Sequence, residues 1–313
     1  MTPRRAAVTG ATGFLGRQVV KVLADQGWTV RVLSRRDPIE PLWRGVELEV
    51  VPGDLGDSRA LDAVCDDAQV VIHAAGLVKA RDRATFDAVN AAGARMVAMA
   101  ALRADTPHVV LVSSLSAREP GLSHYAASKR AGELAMAEVL VDRLSIIRPC
   151  AIYGPGDREL LPVFQAAARS PLLPVPDDAA RVAMIHVEDA AHQTAAVAAA
   201  QPTGRTHALC DSRLDGYSWR ELMAAAAIAC DAAPRLAPVP RALLQAVGIT
   251  NDFTMLLGRT AMLSSAKVRE LLHRDWSVSA DERYPALPSP RFTLMDGFAD
   301  TVAWYRTAAW MKH

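Results

Sequence analysis

The sequence predicts a doubly wound α/β fold, in which helices cover both faces of a parallel sheet, with a smaller C-terminal lobe of mixed α/β structure. Two observations carry this prediction. Short β-branched apolar runs alternate with helical patterns through the first half of the chain, and the alternation stops after Arg148, where prolines become frequent. The length of 313 residues also fits two domains of about 150 residues each.

Six apolar segments of the first half are predicted to be buried strands, because each is bounded by polar, glycine or proline residues. They are residues 6–9, 29–33, 48–51, 70–73, 109–113 and 144–147. Residues 182–186 and 206–210 are further candidate strands, and the second of these is expected to return to the first sheet. We therefore predict an N-terminal domain over residues 1–150, joined in part by residues 181–211. Residues 151–180 and 212–313 form the second lobe.

The composition excludes several classes of function. Lys plus Arg is 35 and Asp plus Glu is 34, and this balance argues against a nucleic-acid partner. No apolar run approaches the roughly 18 residues of a membrane-spanning helix, and no secretory signal follows the basic start. We expect a cytoplasmic protein without membrane insertion. The four cysteines contain no C-x-x-C pair, so we expect reduced, buried thiols and predict no metal site.

A glycine-rich turn stands between the first predicted strand and the first predicted helix. The segment TGATGFLG at residues 9–16 has the spacing G-x-x-G-x-x-G. Such a turn lets the backbone approach a pyrophosphate closely, and the following helix offers free N–H groups and a favourable dipole to the phosphates. The strand before it and the helix after it favour a dinucleotide site over a glycine turn without a ligand. The residues expected to contact the cofactor are Gly10, Thr12, Gly13, Phe14, Leu15 and Gly16.

The end of the second predicted strand bears on the choice of dinucleotide. An acidic residue there accepts a hydrogen bond from the ribose 2′-hydroxyl of NAD(H), whereas an arginine pairs with the 2′-phosphate of NADP(H). This chain carries Arg35 and Arg36 and no carboxylate at that point, which favours NADP(H). NAD(H) stays possible if the two arginines are only solvated. After the third strand, the candidates for the adenine end of the site are Asp54 and Leu55, and the alternative role for that carboxylate is helix capping.

A tyrosine and a lysine four residues apart form the candidate catalytic pair. In YAASK at residues 125–129, Tyr125 and Lys129 share one helix face. A phenol with a pKa of about 10 is a poor acid near neutrality, but a neighbouring ammonium stabilises its phenolate form. Ser113 and Ser114 end the fifth predicted strand, where a hydroxyl can hold a substrate oxygen, and Ser114 is our candidate. Each residue alone is weak evidence of catalysis. A serine at a strand end followed by Tyr-x-x-x-Lys, in a chain that also has a glycine-rich turn, is strong evidence.

With these motifs the chain resembles the short-chain dehydrogenases/reductases, specifically the extended, NAD-dependent epimerase/dehydratase-like group. The resemblance spans nearly the whole chain and implies a Rossmann-type sheet. It rests on TGATGFLG at 9–16, Gly53-Asp54-Leu55, HAAG at 73–76, Val112-Ser113-Ser114, YAASK at 125–129, RPCAIYGPGD at 148–157 and IHVED at 185–189.

The resemblance implies further contacts with the cofactor. Ala74, Ala75 and Gly76 would line it, Tyr125 and Lys129 would also bind it, and Pro149 and Ile152 would pass beside the nicotinamide. The resemblance further implies that Asn90 supports the central helix, that residues 151–180 and 212–313 bind the substrate, and that the protein is a homodimer through the helix that carries Tyr125.

Three reactions share this apparatus: carbonyl reduction, sugar-nucleotide epimerisation and dehydration. Dehydratases of the group carry an Asp-Glu pair after the active-site hydroxyl, and here Leu115 and Ser116 stand in its place. Arg35 favours an exchanging NADPH, so we predict an NADP(H)-dependent oxidoreductase acting on a small-molecule carbonyl or secondary alcohol. One alternative is an epimerase that acts on a nucleotide sugar with tightly bound NAD(P). Another is a non-catalytic NADP-binding sensor or assembly subunit.

Overall fold

A computed structural model of the protein describes residues 4–80, 82–256 and 265–311. Its strands are β1 (Arg5–Thr9), β2 (Thr29–Ser34), β3 (Leu48–Pro52), β4 (Val70–His73), β5 (His108–Val112), β6 (Leu144–Pro149), β7 (Ala151–Tyr153), β8 (Leu172–Val175), β9 (Arg181–Val182), β10 (Met184–His186), β11 (Thr206–Leu209), β12 (Arg235–Pro238) and β13 (Asp275–Trp276). Its α-helices are α1 (Phe14–Asp25), α2 (Ser58–Cys65), α3 (Arg83–Asp87), α4 (Gly93–Arg103), α5 (His124–Leu140), α6 (Leu161–Arg169), α7 (Val187–Ala199), α8 (Trp219–Ala229), α9 (Arg241–Leu256), α10 (Ser265–Leu271) and α11 (Leu294–Thr307).

Seven parallel strands form the main sheet, in the order β11-β6-β5-β4-β1-β2-β3. This arrangement confirms the predicted doubly wound parallel sheet, and β11 returns to it beside β6 as expected. The register pairs Thr9 of β1 with both Leu33 of β2 and His73 of β4. The carboxyl ends of these neighbouring strands therefore meet at one edge, where the predicted motifs follow the strands.

The central strands are mostly apolar and are buried because both faces of the sheet are covered. Every residue of β4 and β5 is buried. Helix α1 buries one apolar stripe that includes Leu15, Val19 and Leu23, at the helical spacing seen in the sequence. One apolar core of this sheet is built from side chains of α2, α4 and α5 packed against β1, β2, β4, β5 and β6.

The chain divides into two compact units. The first unit comprises Met1–Pro149, Val187–Leu209 and Asp281–Pro288, and the second comprises Cys150–His186, Cys210–Ala280 and Ser289–His313. The first unit holds the seven-stranded sheet.

The second unit is mixed α/β in its described part. It contains three two-stranded parallel pairs, β10 with β7, β12 with β8, and β13 with β9. Its core includes the buried rings of Tyr153, Phe164, Phe298 and Tyr305, which meet edge to face.

One predicted strand is wrong in its continuity. Residues 182–186 form two strands, because the chain changes its partner at Ala183. Val182 pairs with β13, whereas Met184 to His186 pair with β7. A continuous apolar run does not reveal such a change, since both halves are equally buried.

The helices and the cysteines bear on two expectations from the sequence, the absence of membrane insertion and the reduced state of the thiols. In the described residues, no helix is both long enough and apolar enough to cross a membrane. The four cysteines, Cys65, Cys150, Cys210 and Cys230, are free thiols and all are buried.

Candidate active site

The glycine-rich turn is closed so tightly that Gly10 and Gly16 have no room for side chains. Gly10 has a φ of +74°, and a Cβ placed there would lie 2.4 Å from the backbone nitrogen of Ala75. A Cβ on Gly16 would lie 2.1 Å from the carbonyl oxygen of Gly10. Helix α1 then starts at Phe14 without a side-chain cap and with no acidic residue in its first turn. Its N–H groups are therefore suited to an anion, so the turn fits the phosphates of a dinucleotide.

Two exposed arginines follow β2. The Ser34 hydroxyl donates a hydrogen bond to the carbonyl oxygen of Arg36 at 2.7 Å, which turns the chain at the strand end. Arg35 and Arg36 are both exposed, and neither forms an ion pair within the described part of the chain. Their charges are available to a phosphate at the carboxyl edge of the sheet.

Two acidic residues after β3, Asp54 and Asp57, have different contacts. Asp57 caps α2, and its carboxylate accepts hydrogen bonds from the backbone of Arg59 at 3.0 Å and Ala60 at 3.1 Å. Asp54 is exposed and accepts only a local hydrogen bond from the Gly56 backbone at 2.8 Å. The helix is thus capped without Asp54. Leu55 packs against the core of the first unit.

The loop after β4 lies between the glycine-rich turn and Lys129. The backbone of Ala74 donates a hydrogen bond to the Thr9 carbonyl at 3.0 Å. A Cβ on Gly76 would lie 3.7 Å from the Lys129 nitrogen. The structure therefore brings this loop together with the two motifs that the sequence singled out, the glycine-rich turn and YAASK.

Helix α5 carries Tyr125 and Lys129 on adjacent turns of one face. Ser123 caps the helix by accepting a hydrogen bond from the Ala126 backbone at 3.0 Å. The Lys129 ammonium donates to the carbonyl oxygen of Val112, at the end of β5, at 2.7 Å. Burial lowers the pKa of Lys129 to about 8, and the Glu133 charge opposes that shift.

The two strand-end serines differ in their partners. The Ser113 hydroxyl is buried and donates to the Glu133 carboxylate at 2.5 Å. Ser114 is half-buried, and its oxygen accepts a hydrogen bond from the Ser116 backbone at 3.2 Å. Because the Ser113 hydroxyl already donates its hydrogen bond to Glu133, Ser114 is the better placed of the two to bind a substrate oxygen.

Asn90 joins the loop after β4 to helix α5. It lies in a π-helical segment, Ala88–Ala92, and its amide both donates to and accepts from the backbone of Leu77, at 2.9 and 2.7 Å. It also donates to the Ser128 hydroxyl at 2.9 Å. A Cβ on Gly132 would lie 2.3 Å from the Asn90 carbonyl oxygen, so the helix approaches this segment closely. These contacts agree with the supporting role that the family resemblance implied.

His73, at the end of β4, is fully enclosed. Its Nδ1 lies 2.7 Å from the Thr9 hydroxyl. Burial and the nearby Lys129 charge lower the pKa of His73 to about 3. A neutral imidazole in this position is a hydrogen-bonding part of the strand ends and does not exchange protons near pH 7.

The two residues expected beside the nicotinamide fall in different units. Pro149 is the last residue of β6 and pairs with Leu209 in the first unit. Ile152 lies in β7 and pairs with Ile185 in the second unit.

The sequence analysis assigned no role to two charged residues that contact each other next to the strand ends, Glu133 and Arg148. Glu133 is 1% exposed, and Arg148 binds it through two hydrogen bonds of 2.8 and 2.6 Å. The available signal was the spacing: Glu133 follows Lys129 by four residues and falls on the same, inward face of the helix.

The sequence is similar to a known protein family and to named proteins. The profile of the NAD dependent epimerase/dehydratase family matches residues 6–209. A ceramide reductase of Caulobacter vibrioides is 51% identical over 306 residues, covering 97% of this chain and 95% of that protein. Sterol demethylase protein B of Methylococcus capsulatus is 32% identical over 175 residues, covering 48% and 52%.

Solved structures show the same fold. The structure of gox2253 has a TM-score of 0.79 at 21% identity and covers 99% of this chain and 100% of that chain. MoeE5 in complex with UDP-glucose and NAD has a TM-score of 0.75 at 20% identity, covering 98% and 99%.

The lowered pKa of Lys129 makes a testable prediction about stability. Between pH 8 and pH 10.5 the unfolded chain holds a proton that folded Lys129 has lost, so the unfolded state binds more protons and stability rises with pH. Lys129→Met removes this contribution. The free energy of unfolding of the wild type, minus that of the variant, is expected to rise from pH 8 to pH 10, by at most about 1.4 kcal/mol per pH unit. Urea titrations at several pH values measure it.

Lys21→Met is the matched control, because Lys21 lies on the surface and pairs with Asp25. Its stability difference from the wild type is expected to stay flat over the same pH range. An equally flat difference for Lys129→Met would contradict the buried-ammonium assignment.

Proposed function

The chain belongs to the NAD dependent epimerase/dehydratase family, and from that premise we propose that it is an NADPH-dependent reductase that converts a ketone of a ceramide-class lipid into a secondary alcohol. It is an NAD(P)-dependent enzyme of the dehydrogenase/reductase or epimerase type.

The full-length likeness to a protein named ceramide reductase carries the substrate class. The 51% identity covers 97% of the chain, so it includes the second unit as well as the cofactor-binding motifs. A ceramide is an N-acylated long-chain amino alcohol, and the chemistry of a tyrosine-lysine site interconverts ketones and secondary alcohols. A ketone on the long-chain base is therefore the group of such a lipid on which this site would act.

The residues that would hold the cofactor lie at the carboxyl edge of the sheet. The turn from Gly10 to Gly16 and the uncapped amino end of α1 suit the pyrophosphate, and the loop after β4 borders it. When bound, NADPH supplies the hydride that the carbonyl carbon receives.

The protein's own side chains would bind the substrate oxygen and supply its proton. Ser114 would donate a hydrogen bond to the substrate oxygen, and Tyr125 would give it a proton as the carbon is reduced. The Lys129 ammonium, held by the Val112 carbonyl, would stabilise the phenolate that remains on Tyr125. The product is a secondary alcohol, and Tyr125 regains its proton from water.

The turn after Ser114 argues against dehydration. Leu115 is buried, and Ser116 uses its backbone N–H to bind Ser114. Elimination of water requires an acid and a base near the substrate, and these two positions offer neither.

The assignment predicts that Tyr125→Phe loses turnover and keeps cofactor binding, because only the proton donor is removed. NADPH oxidation is followed with a ceramide-class ketone in detergent, with the product identified by mass spectrometry, and NADPH affinity is measured by fluorescence. The wild type is expected to form the secondary alcohol, and the variant to lose at least about 100-fold in kcat.

Two outcomes would contradict the proposal. Turnover of Tyr125→Phe at the wild-type rate would place the proton donor elsewhere. Wild-type activity with UDP-glucose and none with the lipid ketone would favour the epimerase alternative over the reductase.

Arg35→Ala is expected to weaken NADPH binding much more than NADH binding. Arg35 is exposed at the end of β2, where its guanidinium can pair with a 2′-phosphate that NADH lacks. Dissociation constants for both dinucleotides are measured by fluorescence. Arg44→Ala, an exposed arginine farther along the same segment, is the control. Equal losses for both dinucleotides in Arg35→Ala would remove the basis for NADPH preference.

We also propose a homodimer through the outer surface of α4 and α5. Large apolar side chains are exposed there, including Met99 at 41%, Leu134 at 52% and Val141 at 66%. Leu134 and Val141 border a cleft of about 240 Å³ that a partner's side chain could fill. Exposed apolar side chains beside a cleft favour an interface with a partner.

Leu134→Glu is expected to convert the dimer into a monomer, because it places a charge at the centre of this surface. Sedimentation equilibrium measures the change. Leu172→Glu, which alters a side chain of similar exposure on β8, is expected to leave the dimer intact. A monomeric wild type, or a Leu134→Glu variant that remains dimeric, would rule out this interface.

A further inference from the structure

A buried carboxylate ties helix α5 to the ends of two strands. Glu133 is 1% exposed, and its oxygens accept hydrogen bonds from Ser113 after β5, from Arg148 in β6 and from Arg130 on its own helix. The contact with Arg148 is bidentate. Burying a carboxylate is costly unless it is paired and fully hydrogen-bonded, and Glu133 meets both conditions.

The same carboxylate lies one helical turn from Lys129. Residues four apart on a helix are neighbours, so the two side chains face the same strand ends. Lys129 is itself half-buried, with its ammonium on the Val112 carbonyl. A buried ammonium keeps its proton only if negative charge or dipoles compensate for the lost hydration, and the Glu133 charge favours the protonated form.

The other charges around Lys129 do not supply this compensation. His73 of β4 is neutral near pH 7, and Arg148 of β6 is positive and pairs with Glu133. Tyr125, one turn earlier on α5, is uncharged until it gives up its proton. Charged side chains of the neighbouring elements take part in ion pairs of their own: Arg83 with Asp87, Arg95 with Glu138, and Arg118 with Glu282.

We propose that Glu133 is a positioning residue that holds the Lys129 ammonium charged and in place beside Tyr125. Arg148 sets the strength of this effect, because it neutralises part of the carboxylate's charge and fixes its direction. The inference rests on the proposed roles of Tyr125 and Lys129, but its test needs neither substrate nor cofactor.

The experiment follows the Lys129 titration directly, by NMR of the full chain labelled with ¹³C at the lysine ε-carbons. Lys129→Met identifies the resonance. E133Q is expected to lower the titration midpoint by about one pH unit, since a neighbouring negative charge is lost. R148Q is expected to raise the midpoint, since the carboxylate is no longer neutralised. A role in folding alone would not move the midpoint in opposite directions.

Asp25→Asn is the matched control, because Lys21 and Asp25 have the same i, i+4 order at the surface of α1. It is expected to leave the Lys129 midpoint unchanged. Circular dichroism and thermal unfolding check that each variant is folded, and if E133Q does not fold, R148Q decides. An unmoved midpoint in folded E133Q, or no upward shift in R148Q, would overturn the inference. Absence of lipid reduction would instead overturn only the proposed function.

Discussion

The hydrogen bond from the Lys129 ammonium to the Val112 carbonyl links the helix that carries Tyr125 to the end of a central strand. This bond joins two elements that the chain forms separately, since β5 and α5 are divided by a short 3₁₀ turn, Leu115–Arg118. A charged group in this half-buried position loses part of its hydration and needs compensation. The Glu133 carboxylate, which Arg148 binds, lies one helical turn away and would supply it.

Close backbone approach is the second constraint on the site. Gly10 and Gly16 allow the turn to fold against the loop after β4, and Gly132 allows α5 to pack against the π-helical segment that contains Asn90. A side chain at any of these positions would meet backbone atoms, which cannot move aside as a flexible side chain can. The glycine-rich turn and the helix that carries Tyr125 are therefore held by small residues as much as by polar contacts.

The proposed chemistry uses few groups, each with a distinct environment. His73 is kept neutral by burial, Ser113 is occupied by Glu133, and Ser114 is half-buried at the edge of the sheet. In the proposed mechanism Tyr125 and Ser114 would contact the substrate, whereas His73 and Ser113 would only support the site. The proposed ceramide-class substrate draws its support from the 51% identity to the ceramide reductase, which covers 97% of the chain and so includes the second unit.

The sequence by itself determined the parallel sheet, the glycine-rich turn and the pairing of Tyr125 with Lys129 on one helix face. These features depend on local signals: the periodicity of apolar residues, the positions of glycines and the spacing within a helix. Only the tertiary structure decided that residues 182–186 form two strands and that Glu133 meets Arg148. Such outcomes depend on which segments, distant in the sequence, pack against each other. The residues next to a position in the chain do not predict these contacts.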